Sequence, residues 1–494
     1  MRRDLGEAQR VLDELQRQGV TATALCADSR AVAPGDVFVA YPGARVDGRR
    51  FIADAVARGA SAVLWERQGY AHADAPAVPH VAVDDLQALS GWLAHLVYGR
   101  PSEKLWTVGV TGTNGKTSVS QWIARAFAQL DRRCAAIGTL GCGFPGTLEE
   151  SPNTTPDALT LHRLFAGYLA QGAQAAAMEV SSIGLHQGRV NGVHFDVAVF
   201  TNLTRDHLEY HGSMAAYGAA KAQLFDTPGL KAAVLNLDDA LGRKIAQDLA
   251  GGGVRVLGYS LRTDSGAALR AEDIVATPRG LRFTAATPQG RAGIHASLVG
   301  EFNVSNLLAV LGTLLASSVP LERAAAVLAG LTPPPGRMQV LGGEGAPLAV
   351  VDYAHTPDAL DQALAALRDT AAARGGRLVC VFGCGGNRDP GKRPQMGDVA
   401  AQRADAVILT SDNPRDEDPQ AILADIVRGA PGARTIADRA EAIRAALAEA
   451  DARDVVLIAG KGHEVYQEIA GQRLPFSDVD CAVAALAGRG GPSR

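Results

Sequence analysis

The stretch Thr107-Val-Gly-Val-Thr-Gly-Thr-Asn-Gly-Lys-Thr-Ser118 decides the fold. The β-branched run around Val108 and Val110 predicts a strand, Gly112 and Gly115 a turn, and Val119 to Leu130 a helix. Strand, glycine-rich loop and helix in this order are the layout of a phosphate-binding loop. Glycines let backbone N–H groups curl around an anion, and the helix N-terminus adds partial positive charge. In that layout Lys116 meets the outer phosphates and the Thr117 hydroxyl meets Mg²⁺. The general pattern G-x-x-x-x-G-K-[ST] is not met, because position 110 is Val; the tighter Gly112-Thr113-Asn114-Gly115-Lys116-Thr117 stands instead. An ordinary glycine-rich βα turn is the plain alternative.

Outward from this loop the chain alternates apolar strands with helices from Leu105 to about Leu331. The strands are expected at Thr107–Val110, Ala135–Gly138, Ala175–Glu179, Val197–Thr201 and Ala232–Asn236. Such alternation argues for a mostly parallel sheet covered by helices on both faces, with ligands outside the carboxyl ends of the strands. Polar residues fall at those ends. Glu179 closes one strand, and Asn202 to His207 follows another. Glu179 and His207 beside a nucleotide loop suit a divalent cation and its phosphates, although either alone would be an ordinary satisfied polar group. Asn153-Thr154-Thr155-Pro is a polar turn, and Lys221, on an expected helix, reads by itself as a surface lysine.

Two linkers frame this unit. Tyr98 to Lys104 is one by composition, and Thr332-Pro-Pro-Pro-Gly-Arg337 is the other, its prolines stopping a helix and stiffening the chain. The reading is three α/β domains, at 1–101, 102–332 and 333–494: a small N-terminal one, a central phosphate-loop ATPase-like one with a mostly parallel sheet, and a C-terminal Rossmann-like one. In the last, strands at Ala349–Asp352, Leu378–Phe382, Ala406–Thr410 and Val455–Ala459 each end in polar clusters.

Composition bounds the rest. With 494 residues the chain exceeds one core; 47% hydrophobic and 20% charged residues are ordinary for a soluble globular protein. A net charge of −4 argues against a nucleic-acid protein. The six cysteines form no C-x-x-C pair and read as buried free thiols of a reducing compartment. No apolar signal segment opens the chain, and the apolar stretch Leu307 to Leu321 is too short to span a bilayer. The expectation is a cytoplasmic protein without membrane insertion.

In this order, from Asp28-Ser29-Arg30 to Gly460-Lys-Gly-His-Glu464, the motifs resemble the Mur ligase family of ATP-dependent amide-bond ligases across all three domains. Glu179-Val-Ser-Ser182, Gly212 to Phe225, Gly385-Gly-Asn-Arg-Asp389 and Asp412-Asn-Pro-Arg415 look most like the branch that adds meso-2,6-diaminopimelate to UDP-MurNAc-L-Ala-D-Glu. The resemblance implies ATP as co-substrate, Mg²⁺ as cofactor, these small molecules as partners, and a monomer. It implies that the nucleotide contacts Gly112, Thr113, Asn114, Gly115, Lys116, Thr117, Ser118, Asn303, Arg337 and Asp352. For the UDP-linked substrate it implies Ala27, Ser29, Ala44, Arg45, Val46, Asn153, Thr154, Thr155, Ser181, Gln187 and Arg189. Ala27 and the Ala44-Arg45-Val46 loop depart from the family's usual residues. Diaminopimelate falls to Arg388, Asp412, Asn413, Pro414, Arg415, Gly460 and Glu464. Mg²⁺ falls to Thr117, Glu179, His207 and Lys221, the last as its carbamate; Lys116, His207 and Lys221 are the implied catalytic residues. The resemblance also implies closure of the C-terminal domain, hinged near Pro333–Gly336.

Chemistry singles out Arg415 within this set. Diaminopimelate differs from lysine by a distal carboxylate, which a guanidinium grips bidentately. Lysine would leave that guanidinium unpaired in a closed site. Two alternatives stay open: a lysine-adding or other Mur-type ligase, and a nucleotide-dependent binding protein that lacks catalysis.

Overall fold

A computed structural model describes residues 2–43, 46–70, 76–277, 280–343 and 345–488. Each third of the chain builds its own sheet. The first is four parallel strands in the order Leu25–Cys26, Val37–Ala40, Ala62–Glu66 and His80–Val83, flanked by helices Arg2–Arg17, Ile52–Ala57 and Leu86–Val97.

The central sheet has eleven strands among the described residues. Its parallel heart runs Arg255–Ser260, Ala232–Asn236, Val197–Phe200, Trp106–Thr111, Ala175–Glu179, Cys134–Gly138 in space. Trp106–Thr111 is the switch point: later strands lie on both of its sides, which opens a crevice at its carboxyl end. Alternate residues serve opposite faces, as the pleat demands. Val197 and Val199 join Val119, Trp122, Ile123 and Phe127 of helix Lys116–Gln129, while Ala198 and Phe200 join Leu161 and Phe165 of helix Ala158–Ala170. The apolar stretch near Leu307 is the core helix Phe302–Ala316, with Leu307, Leu308, Leu311 and Leu314 fully buried. No helix among the described residues is long and apolar enough to cross a membrane.

The predicted strands are present, with ends moved by a residue or so, but two features differ from the sequence reading. The helix after the loop starts at Lys116 rather than Val119, because Gly115 adopts a left-handed conformation (φ 85°) and serves as its N-cap. Three antiparallel strands, Leu269–Thr277, Gly280–Thr287 and Gly290–Ala296, extend one edge of the parallel sheet. A register shift between Glu272 and Val275, with Asp273 at φ 53°, breaks the two-residue alternation that would have revealed the first of them.

The C-terminal sheet runs Gln339–Gly342, Leu348–Asp352, Val455–Ala459, Leu378–Phe382, Ala406–Leu409, Arg434–Thr435, parallel except for its first pair. Helix Pro357–Arg374 shows how local chemistry sets such elements: the Thr356 side chain accepts from Ala359 N–H, Pro357 opens the first turn, and Gly375 ends it at φ 65°. A two-stranded hairpin, Tyr466–Ile469 with Gln472–Pro475, hangs beside this sheet.

The N-terminal unit docks on the central one where Gly91 of helix Leu86–Val97 meets Asn191. A Cβ at position 91 would lie 2.1 Å from the Asn191 carbonyl oxygen. His95 and His162 pack edge to face across this contact at 5.5 Å. All six cysteines are free; five are buried and Cys481, in helix Asp478–Gly488, is half-buried.

Candidate active site

The carboxyl ends of the central and C-terminal sheets face one cavity of about 810 Å³. Gly112 (φ 149°) leaves the strand Trp106–Thr111, and a Cβ there would meet Thr201 Oγ1 at 1.8 Å. The loop is braced from the neighbouring strand end. Thr113 N–H donates to Asn202 O at 2.8 Å, Asn114 N–H to Asn202 Oδ1 at 2.9 Å, and Thr201 Oγ1 to Asn114 O at 2.6 Å. Lys116 Nζ donates to the Gly112 and Thr113 carbonyls, each at 2.9 Å, and burial lowers its pKa. The ammonium is thus parked on the loop itself, poised to exchange carbonyl oxygens for phosphate oxygens.

Thr117 Oγ1 donates to Glu179 Oε2 at 3.0 Å and accepts from Arg337 Nη2 at 3.1 Å. Glu179, 1% exposed, also accepts from Thr139 N–H at 2.7 Å and Thr139 Oγ1 at 3.1 Å. Gly138 makes room for this carboxylate, since a Cβ there would fall 2.3 Å from Glu179 Oε1. His207 sits in a left-handed conformation between Asp206 (3.5 Å) and Glu209 (3.6 Å) and lines the same cavity. Among the described residues no three His, Cys, Asp or Glu side chains converge as a preformed metal cage.

Lys221 departs from the surface position its helix suggested: it is 1% exposed. Its Nζ donates to Gly112 O at 2.7 Å and lies 4.3 Å over the Tyr217 ring. Burial first, and Lys116 second, hold its pKa well below the ordinary lysine value. A lysine whose charged form is disfavoured by burial therefore sits under the phosphate loop.

Around the Glu179 end stand Thr154, which shares a hydrogen bond with Thr139 at 3.0 Å, and Ser181, both lining the cavity. Buried Thr155 donates to Glu179 O at 3.0 Å and to Ser181 Oγ at 3.1 Å. Arg189 reaches Thr155 O at 2.8 Å and is gripped by Gln187 Oε1 at 2.7 and 3.0 Å. Exposed Asn153 neighbours this cluster outside the cavity lining. Ser29 lines a separate shallow hollow with Arg30, Asp54 and Arg58; half-buried Ala27 and exposed Val46 lie outside both linings. Ala44 and Arg45 lie outside the described residues.

The C-terminal domain supplies the opposite wall. Asp352 is half-buried, its pKa raised by desolvation, and it accepts from Met338 and Ala354 N–H at 2.7 and 2.8 Å. Arg388, Asp412, Asn413, Arg415, Gly460 and Glu464 line the cavity. Gly460 (φ 119°) lets the chain pass Asp412, whose Oδ2 a Cβ would meet at 2.4 Å. The Pro414 carbonyl packs on Gly386, where a Cβ would lie 2.0 Å from its oxygen. Asn413 Nδ2 donates to Glu464 Oε2 at 2.8 Å, and buried Lys461 ties both together through two contacts of 2.9 Å. Asn303 on helix Phe302–Ala316 completes the wall and accepts from Asn306 Nδ2 at 3.2 Å.

Sequence reasoning missed one link between the domains. Asn114 Nδ2 donates to Asp358 Oδ2 at 3.0 Å, and half-buried His355, its pKa pushed down to about 4 by desolvation, lines the cavity. Asp358 sits in a helix first turn, where an acidic residue is unremarkable. Lys461 was visible in Gly460-Lys-Gly-His-Glu464, yet nothing local distinguishes a buried lysine from an exposed one.

Known proteins share this three-domain architecture. Residues 21–98 match the description "Mur ligase family, catalytic domain", 110–314 "Mur ligase middle domain", and 336–462 "Mur ligase, glutamate ligase domain". The chain is 53% identical over 475 residues, 96% of each chain, to UDP-N-acetylmuramoyl-L-alanyl-D-glutamate–2,6-diaminopimelate ligase of Chromobacterium violaceum. It is 52% identical to that of Pseudomonas aeruginosa over 94% of each chain. A solved structure of a ligase of the same description superposes with a TM-score of 0.69 at 40% identity, covering 96% of each chain. The chain belongs to the Mur ligase family.

Proposed function

We propose that this chain uses ATP to join meso-2,6-diaminopimelate to the D-glutamate γ-carboxylate of UDP-MurNAc-L-Ala-D-Glu, as the diaminopimelate ligases it resembles are named for doing. The observation that carries the reading is one cavity lined by the phosphate-loop residues Thr113–Ser118, the Glu179 carboxylate and the Arg415 guanidinium. Residues 1–101 hold the UDP end, with Ser29 and the 44–46 loop; 102–332 hold ATP and the muramoyl-dipeptide; 333–494 hold diaminopimelate.

A carboxylate and an amine do not condense unaided in water. The γ-carboxylate oxygen attacks the terminal phosphorus of ATP and ADP leaves. The diaminopimelate amine then attacks the acyl carbon, and the tetrahedral intermediate expels phosphate. Positioning and charge neutralisation do most of the work in such transfers. Loop N–H groups and Lys116 hold the phosphates. Thr155, Ser181 and Arg189, already locked together, present the D-glutamate end of the acceptor. Arg415 takes the distal carboxylate of the incoming amino acid, with Asn413, Glu464 and Arg388 around it.

Thr117 and Glu179 fit Mg²⁺: both are hard oxygen donors, and Mg²⁺ takes few protein ligands beside phosphate and water. When bound, the ion neutralises charge on the transferring phosphoryl group. His207, a nitrogen donor, suits contact through water. Lys221 supplies a further ligand as its carbamate: the deprotonated amine adds to the carbon of CO₂, one N–H proton leaves to solvent, and the side chain becomes an anionic oxygen donor.

ADP release with UDP-MurNAc-L-Ala-D-Glu tests the reading, comparing meso-diaminopimelate with L-lysine in wild type and Arg415→Ala. Turnover with diaminopimelate only, with kcat/KM for diaminopimelate strongly reduced in the variant, is the expected result. Turnover with lysine, or with neither amino acid, sinks the substrate assignment.

A further inference from the structure

We infer that Glu468 is a positioning residue for Arg415: it holds the Nε edge of the guanidinium so that the remaining donors face the amino-acid end of the cavity. The inference rests on the reading of Arg415 as the partner of the distal carboxylate. Glu468 Oε2 accepts from Arg415 Nε at 3.1 Å, and the Gly386 carbonyl accepts from Nη1 at 2.8 Å. Nη2 has no hydrogen-bond partner among the described residues. Arg415 lines the cavity and Glu468 stands behind it, outside the lining. A guanidinium on a flexible stem loses rotamer entropy when it grips a ligand. A pre-formed bond on one edge removes part of that cost before the ligand arrives.

The backbone carries the same design. Arg415 adopts a left-handed conformation (φ 52°) that a non-glycine residue seldom takes. Its N–H donates to Glu468 O at 3.0 Å, and Ala470 N–H donates to its carbonyl at 2.7 Å. Ala470 and Gly471 are both left-handed (φ 48° and 74°), which gives the turn the twist its hairpin needs. Two further bonds tie the strand Tyr466–Ile469 to the preceding residues: Glu468 N–H to Asn413 Oδ1 at 2.9 Å, and Gln467 Nε2 to Asp412 O at 2.7 Å. The hairpin is therefore a strut along the whole run Asp412–Arg415, and Glu468 is its one side chain on the guanidinium.

Steady-state ADP release at varied meso-diaminopimelate tests this in wild type, Glu468→Ala, Glu468→Gln, Arg415→Ala and the double alanine variant. Glu468→Ala raises KM for diaminopimelate about five- to tenfold, with kcat and KM for ATP nearly unchanged. Glu468→Gln keeps an acceptor for Nε and brings KM back to within about twofold of wild type. The double variant is no worse than Arg415→Ala alone, because the effect of Glu468 runs through the guanidinium. A normal KM in Glu468→Ala while Arg415→Ala raises it, or additive losses in the double variant, overturns the inference and leaves Arg415 in its role. A normal KM in Arg415→Ala removes that role, and the inference with it.

Discussion

Replacing His162 with Gln makes the protein less stable near neutrality and more stable in acid. His162 is fully buried between the N-terminal and central units. Its Nε2 pairs with Asn191 O at 3.0 Å, and its Nδ1 has no hydrogen-bond partner. Burial pushes its pKa from 6.5 to about 3, and His95, itself depressed by burial, adds to the shift. Glu103, Arg100 and His194 act on His95. The folded state thus refuses a proton that the unfolded chain takes below pH 6.5, so stability is lost as pH falls from 6.5 towards 3. Each pH unit in that window costs about 1.4 kcal/mol, which makes about 2.7 kcal/mol at a pH two units below the lower-shifted group's ordinary value. Glutamine carries no titratable proton and can still donate to Asn191 O, so its packing cost near neutrality is about 1 kcal/mol. Urea unfolding followed by tryptophan fluorescence, at about pH 7.5 and about pH 4.5, measures both numbers. Trp92, 6.3 Å from His95, reports on this contact. The variant starts below wild type and ends above it. Equal acid losses in the two proteins would refute the reasoning.

Two further outcomes follow from the phosphate loop. With ¹³C-enriched bicarbonate, wild type gives a carbamate carbonyl resonance that Lys221→Ala lacks, and ADP release in the variant drops at least about tenfold; no resonance, or unchanged turnover, would count against the modified lysine. Gly112→Ala forces a Cβ to within 1.8 Å of Thr201 Oγ1 at φ 149°. It raises KM for ATP roughly tenfold or more and abolishes thermal protection by ATP, an expectation that an intact ATP-induced shift would contradict.

Legibility in the sequence followed the range of the interactions. Strand, loop and helix around Gly112–Ser118 are dictated by neighbours in the chain, so their order could be read directly. The clusters at Glu179, Asp352 and Asp412 were legible for the same reason: parallel strands end in polar residues where ligands bind. Lys221 was not, because its burial depends on Gly112 and Tyr217 folding over it, and a lysine on a short helix carries no mark of that. The ion pair of Arg439 with Asp478, fully buried and 39 residues apart in the chain, is equally silent in sequence. The strand Leu269–Thr277 was hidden by a bulge that puts consecutive side chains out of phase. Asn114 and Asp358 meet only because two domains do.

The cysteines carry a practical consequence. Five of the six thiols are sealed inside sheets and helices, and burial raises the pKa of Cys134 to about 12 and that of Cys384 likewise. Cys481 alone is partly reachable, on the last helix of the C-terminal domain. Its thiol pKa is also raised, so alkaline buffer favours the thiolate that a maleimide dye needs. The unaltered chain thus offers a single native attachment point on the domain that carries Arg415. A fluorophore there can test whether that domain moves when ATP and the acceptor bind, without any cysteine having been removed.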